Sequence, residues 1–263
     1  MTQCMEVAGI ANRLRQVLQS TCLSFDLTGE VLYGSIVRGK AILDSDIDLL
    51  AVGGGLPVER QRRSREIVQI KRLFPGLPLD ILLMTTEEVR SKFENHNPLF
   101  LDIAEDGIVL LDRDGSLSKT MDATRSYVRD RGIERLDGGW RFPVERGTHT
   151  FLSQVSNLDF SRAMLEDAGR DHRIGQRLLE DAFYDKAVYH FQQAVEKSIK
   201  SMLIAMGVFR RTHIVGSVLR SICEEDRAPR EWRDLLLQAA NHSEELEPDV
   251  NLSRYPGIID DAL

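Results

Sequence analysis

The sequence is poor in cysteine. Only Cys4, Cys22 and Cys223 occur among its 263 residues, far apart and without the spacing of a metal site. That pattern excludes a disulfide framework and predicts three ordinary packing residues in a reducing cytosol. Positive charge is also short, with 34 Lys and Arg against 41 Asp and Glu and a net charge of −7. A protein that grips polyanions chiefly through their phosphates needs a basic surface, so general nucleic-acid binding is disfavoured. No apolar run approaches the ~18 residues that cross a bilayer. Glu6 and Arg13 stand where a signal peptide would be apolar. The expectation is a cytoplasmic protein with no membrane partner. Internal repeats and low-complexity tracts are missing, and so is the Gly-x-x-x-x-Gly-Lys-Ser/Thr pattern of a P-loop.

At this length two compact units are expected. In the first, Val7, Ile10, Leu14, Val17 and Leu18 repeat at helical spacing, which predicts a helix over about 5–20. Short β-prone runs follow at 31–33, ending in Gly34-Ser35, and at 47–52, ending in Gly53-Gly54-Gly55. Residues 58–73 read as a helix with Arg60, Arg62, Arg63, Arg65, Lys71 and Arg72 outward and Ile67, Ile70 and Leu73 inward. A third strand is predicted at 79–84, Thr85 and Glu88 have the spacing of a capping box, and a last strand is predicted at 108–111. The whole predicts an α+β domain over 1–115, a small mixed sheet with flanking helices. Glycines and charges without periodicity suggest a linker over 116–150. Beyond it, helical patterns at 158–181, 185–206, 214–225 and 230–246 predict an all-α bundle of four or five helices over 151–263. Ala187, Val188, Phe191, Ala194, Val195, Ile199 and Met202 form the inner stripe of its second helix, and Gly207 stops that helix.

The chemistry is concentrated in Tyr33-Gly34-Ser35-Ile36-Val37-Arg38-Gly39 and Ser45-Asp46-Ile47-Asp48-Leu49-Leu50. Residues two apart in a strand point to one side, so Asp46 and Asp48 present two carboxylates together. Such a pair repels unless a cation lies between, and hard oxygen donors suit Mg²⁺. Asp80 is the one acid in the apolar run Leu79–Met84, where burial would be costly without a metal or partner. Gly34-Ser35 at a strand end can present backbone N–H groups to phosphate, and Arg38 can add a charge-assisted bond. Alone, an Asp-x-Asp pair is most often a solvated turn. The conjunction of strand, Gly-Ser, Asp-x-Asp and a third acid on another strand is far more specific.

With these residues the stretch 28–112 resembles the DNA polymerase β-type nucleotidyltransferase superfamily, in particular its minimal members and kanamycin nucleotidyltransferase. The resemblance implies that Asp46, Asp48 and Asp80 are both catalytic and metal-binding. They would hold two Mg²⁺ ions, and Asp80 would help to deprotonate an attacking hydroxyl. It implies a nucleotide site of Gly34, Ser35, Arg38 and Ser45, with Gly34 and Ser35 on the β and γ phosphates. The implied reaction moves a nucleoside monophosphate from an NTP, with ATP the expected donor, to a hydroxyl on a small molecule, protein or RNA. A long nucleic acid is the least attractive acceptor for so acidic a chain.

In the second half, Tyr184 to Lys197, then Lys200, Thr212-His213 and Ser253-Arg254-Tyr255-Pro256, resemble a HEPN domain over about 155–260. Bundle packing alone also accounts for several of them, with Phe191 and Ala194 as core and Lys197 and Lys200 as solvated surface. Many HEPN domains are ribonucleases with an Arg four to six residues before a His. Neither His172, His190, His213 nor His242 has that Arg, and Arg90 with His96 lies in the other domain. Nucleotide or acceptor binding is therefore expected in place of RNA cleavage. His213, just after Arg210-Arg211, reads as a loop or helix-terminus residue. Val188, Val195 and Met202 suggest an unsatisfied second face and a homodimer through the helical domain. The competing reading is a nucleotide-sensing, antitoxin-like regulator, against which the three intact acids argue.

Overall fold

The computed structural model describes residues 7–42, 45–145, 147–151, 155–225 and 227–246, with the side chain of Gln19 left aside. The chain divides into two compact units, Met1–Arg131 and Gly132–Leu263.

The first unit runs α1 (Val7–Ser20), β1 (Asp26–Tyr33), β2 (Ile47–Gly54), a 3-10 turn (Arg60–Arg63), α2 (Ser64–Arg72), β3 (Leu79–Met84), α3 (Thr86–Glu94), α4 (Pro98–Asp106), β4 (Ile108–Asp112) and α5 (Ser116–Asp130). The strands form one sheet in the order β3-β2-β1-β4. β2 and β3 are parallel, and α2 supplies the crossover that a parallel pair needs. β1 runs antiparallel to both β2 and β4. Alternation along the strands sends Ile47, Leu49 and Ala51 to a core shared with Leu14 of α1 and Ile70 of α2. Leu50 and Val52 point to the opposite core, with Phe93, Phe100, Ile103 and Met121 of α3, α4 and α5. The sheet is thus covered on both faces.

Two acids in this unit have opposite fates. Glu88 closes the capping box at Thr85 and also binds Arg63, whose Nη1 donates to Oε2 at 2.6 Å. Burial opposes ionisation of Glu88, but the bonds from Arg63, the Thr85 backbone and Arg60 outweigh it and hold the carboxyl down at about 2. Arg63 was expected on an outer helix face. It is instead buried, and its guanidinium also donates to the carbonyls of Pro57, Val58 and Leu83. Glu30, in the middle of β1, shares its face with Leu32 and is fully buried. Among the described residues neither of its carboxyl oxygens has a hydrogen-bond partner, and burial pushes the group up to about 8.

The second unit contains β5 (Glu134–Leu136), β6 (Gly139–Arg141), α6 (Asn157–Glu180), α7 (Tyr184–Ala205), β7 (Val208–Arg210), α8 (Val215–Glu224), a 3-10 turn (Arg230–Trp232) and α9 (Arg233–Leu246). The helices match the expected bundle closely. α6 and α7 pair as a long hairpin, and Ile199 and Leu203 of α7 share a core with Leu219 of α8 and Leu236 of α9. The small sheet β5-β6-β7 was not expected. Neither was α5: the stretch expected as a linker over 116–150 holds that helix and the β5–β6 hairpin. Leu117, Met121, Thr124 and Val128 give α5 its buried stripe. Of the cysteines, Cys223 is buried as expected, whereas Cys22 is exposed, and Cys4 lies outside the described residues. Among the described residues no helix is long and apolar enough to cross a membrane.

Candidate nucleotidyltransferase site

β1 ends at Tyr33, and Gly34 turns the chain with φ +86°. This is the left-handed region, which a side chain resists. A second constraint acts at the same place, since a Cβ on Gly34 would lie 1.8 Å from Oδ2 of Asp48. The carboxylate of Asp48 fills the space that glycine leaves. Pairing places Tyr33 opposite Asp48, and the parallel register of β2 with β3 places Asp48 beside Asp80. Paired strands lie about 5 Å apart, so these two acids are nearest neighbours on one face. Asp46 precedes β2 by one residue.

Asp48 and Asp80 thus stand side by side at the corner where β1 ends and where β2 and β3 begin, and Asp46 lies one residue ahead of β2. Asp46 and Asp80 are exposed and Asp48 is half-buried. The exposure of Asp80 corrects the expectation of a buried acid, because β3 is an edge strand and this corner is open to water. Among the described residues no three His, Cys, Asp or Glu side chains close into a ready metal cage. The donor set nevertheless fits a hard cation, since Mg²⁺ is usually held by one or two carboxylates together with water and substrate phosphates.

The remaining expected residues surround this corner. Ser35 opens a turn in which Arg38 N–H donates to Gly34 O at 3.4 Å, Gly39 to Ile36 O at 3.2 Å and Lys40 to Ser35 O at 2.9 Å. Ile36 is buried and Val37 half-buried against the α1 side of the sheet. Arg38 faces α4, its Nη1 lying 4.0 Å from both Asp102 and Asp106. Ser45 accepts the N–H of Ile42 at 2.9 Å, so its hydroxyl braces the loop leading to Asp46. Leu43 and Asp44 lie outside the described residues. Asp102 and Asp106 had no local signal in the sequence, since they reach the site only through the packing of α4.

The second unit carries a polar network. Lys197 Nζ donates to Asp167 at 2.5 Å and to Asp171 at 2.6 Å, and Nδ1 of His190 lies 2.9 Å from Asp171. Burial opposes ionisation of Asp171, but its bonds to Lys197 and His190 hold the carboxyl below its ordinary range. Buried Glu196 takes Lys200 at 2.7 Å and stands 3.1 Å from Nδ1 of His213. Lys197 and Lys200 are therefore tied in, and the solvated-surface reading of both is corrected. Ser253–Pro256 lie outside the described residues.

Comparison with known proteins gives the class. Residues 14–111 match the model of the nucleotidyltransferase domain, and residues 161–261 match that of the HEPN domain. The chain therefore joins a nucleotidyltransferase domain to a HEPN domain. Its relatives include two proteins of Methanocaldococcus jannaschii. One is "Putative toxin MJ1304", 33% identical over 100 residues, which are 38% of this chain and 66% of that protein. The other is "Putative protein adenylyltransferase MJ1305", 27% identical over 130 residues, or 48% of this chain and 87% of that protein. The chain thus spans just under two thirds of the first relative. Among solved structures, a chain described as "Crystal structure of the toxin-antitoxin with AMP-PNP" is 18% identical, with a TM-score of 0.31, over 46% of this chain and 87% of that one.

Proposed function

We propose that the first unit transfers a nucleoside monophosphate, AMP from ATP, to a hydroxyl acceptor with release of pyrophosphate. The observation that carries this reading is the register of Asp48 with Asp80 beside a glycine into whose space Asp48 packs. Asp46, Asp48 and Asp80 would hold two Mg²⁺ ions. The ions would offset the charge of the carboxylates and of the reacting phosphate. Gly34 and Ser35 would hold the β and γ phosphates through main-chain N–H groups, with Arg38 and Ser45 beside them in the nucleotide site. Asp80, exposed on the edge strand, takes the proton of the attacking hydroxyl. The new bond joins that oxygen to the α-phosphorus, and the bond to the β-phosphate bridge breaks. A relative named as a protein adenylyltransferase favours a protein hydroxyl as acceptor. A relative named as a toxin favours a setting in which the chain works as part of a toxin–antitoxin system.

Incubation with α-³²P-ATP, Mg²⁺ and fractionated cell extract is expected to label an acceptor and to release pyrophosphate in equal amount. Asp48→Asn should lower the labelling by at least about a hundredfold with little change in melting temperature. Label that follows only γ-³²P, or wild-type transfer by Asp48→Asn, contradicts the assignment.

We also propose a homodimer through the helical unit. Val195 and Met202 do not supply its surface, for both are half-buried against that unit's own core. Leu165, Ile174, Leu179 and Phe183 of the α6–α7 hairpin are exposed in their place. Light scattering is expected to give twice the chain mass, and a monomer mass at micromolar concentration counts against it.

A further inference from the structure

The turn from Gly34 to Lys40 is irregular. Its three backbone bonds span four, three and five residues, and the first is long at 3.4 Å. One irregular turn gains little from its own hydrogen bonds, because fixing its backbone angles costs more than a single turn returns. Its side chains tie it to the rest of the unit on two sides. Ile36 and Val37 anchor one side in the core that α1 and α2 cover. On the other side Arg38 reaches toward α4, between two carboxylates one helical turn apart, each 4.0 Å from Nη1.

That helix is a rigid frame. Phe100, Ile103 and Ala104 are buried in the core beneath it. Gly107, just past its end, lies so close to β1 that a Cβ there would stand 2.6 Å from Val31 Cγ1 and 2.3 Å from Ile103 O. The same strand β1 leads directly into Gly34. Asp102 is itself buried, an arrangement that is costly for a carboxylate without a cation nearby.

We infer that Asp102 and Asp106 are positioning residues: through Arg38 they fix the phosphate-holding turn against the sheet, ahead of nucleotide binding. The inference rests on the nucleotide-site reading above and adds to it the origin of the turn's order. A turn so fixed meets ATP without an ordering cost, so loosening it weakens binding before it alters chemistry.

The test is equilibrium titration of the full-length protein with Mg²⁺-ATP, together with melting temperatures. Asp106→Asn, at the more accessible carboxylate, and Asp102→Asn with Asp106→Asn combined are compared with Arg38→Gln. The combined variant is expected to bind ATP about tenfold more weakly, the equivalent of one charge-assisted contact. Arg38→Gln added to it should bring little further loss, because the residues act as one unit. If Asp102→Asn unfolds the chain, Asp106→Asn alone is expected to give a several-fold loss with an unchanged melting temperature. Unaltered or tighter ATP binding by folded variants overturns the inference, and so do losses for Arg38 and the aspartates that simply add. In those cases a wild type that binds ATP leaves the nucleotide-site reading standing. A wild type that binds no ATP removes both.

Discussion

Gly34→Ala is expected to lower nucleotidyl transfer by about a hundredfold or more, because misplacing a reacting group by about an ångström has that effect. The effect is carried by Asp48. The alanine methyl group would enter the space of the Asp48 carboxylate, where the separation from Oδ2 would be 1.8 Å. A carboxylate is the mobile end of a side chain, so it rotates away and leaves its register beside Asp80. The φ of +86° adds strain of about 1–2 kcal/mol for any L-residue. The variant should therefore melt a few degrees lower yet remain folded, while its transfer from α-³²P-ATP falls far more than that small loss of stability explains. Serine should behave like alanine. Wild-type transfer by Gly34→Ala would show that Asp48 does not act from the position it occupies here.

Glu30→Leu is expected to stabilise the first unit, and increasingly so as pH rises. Folded Glu30 titrates at about 8 against an ordinary 4.5, because burial disfavours its charged form. Between those values the folded state keeps a proton that the unfolded chain has released. Stability then falls with rising pH, by up to about 1.4 kcal/mol per unit. By pH 7 the accumulated loss is about 3 kcal/mol, and it levels off above the folded value. Below the ordinary value both states hold the proton and the pH-dependent loss vanishes. Leucine fills similar space next to Leu32 without a group to ionise. Urea unfolding at about pH 5 and about pH 8 should show the gap between variant and wild type widening. An equal gap at both values would mean that Glu30 has a partner when folded.

The parts of the site that depend on nearby residues were readable in the sequence. Gly34 and Asp48 are placed by one turn and one strand, and Asp46 stands one residue ahead of that strand. Asp80 was readable as a third acid on a neighbouring strand. Its exposure was not, because nothing in Leu79–Met84 says that β3 forms an edge. The first half of β1 was missed because Gly29 and Glu30 weigh against a strand, and only the surrounding core overrides them. Arg63 was misplaced for a similar reason. Its partners are Glu88 and Leu83 O from distant segments and the carbonyls of Pro57 and Val58 just before it, so its neighbouring arginines gave a misleading pattern. The small sheet of the second unit joins β5 and β6 to the distant β7, and three-residue strands carry no periodicity to detect.

The sheet of the first unit ends on one side at β3 and on the other at β4. An open strand edge is a template on which another chain can add, and the apolar run Leu79–Met84 is well suited to it. Arg15 closes the β4 side by donating to the carbonyls of Val109 and Leu110 at 3.3 Å each. On the β3 side Arg63 donates to the carbonyl of Leu83, and Asp80 adds one charge held in water. A charge at this end of β3 disfavours such an addition whatever its part in the chemistry.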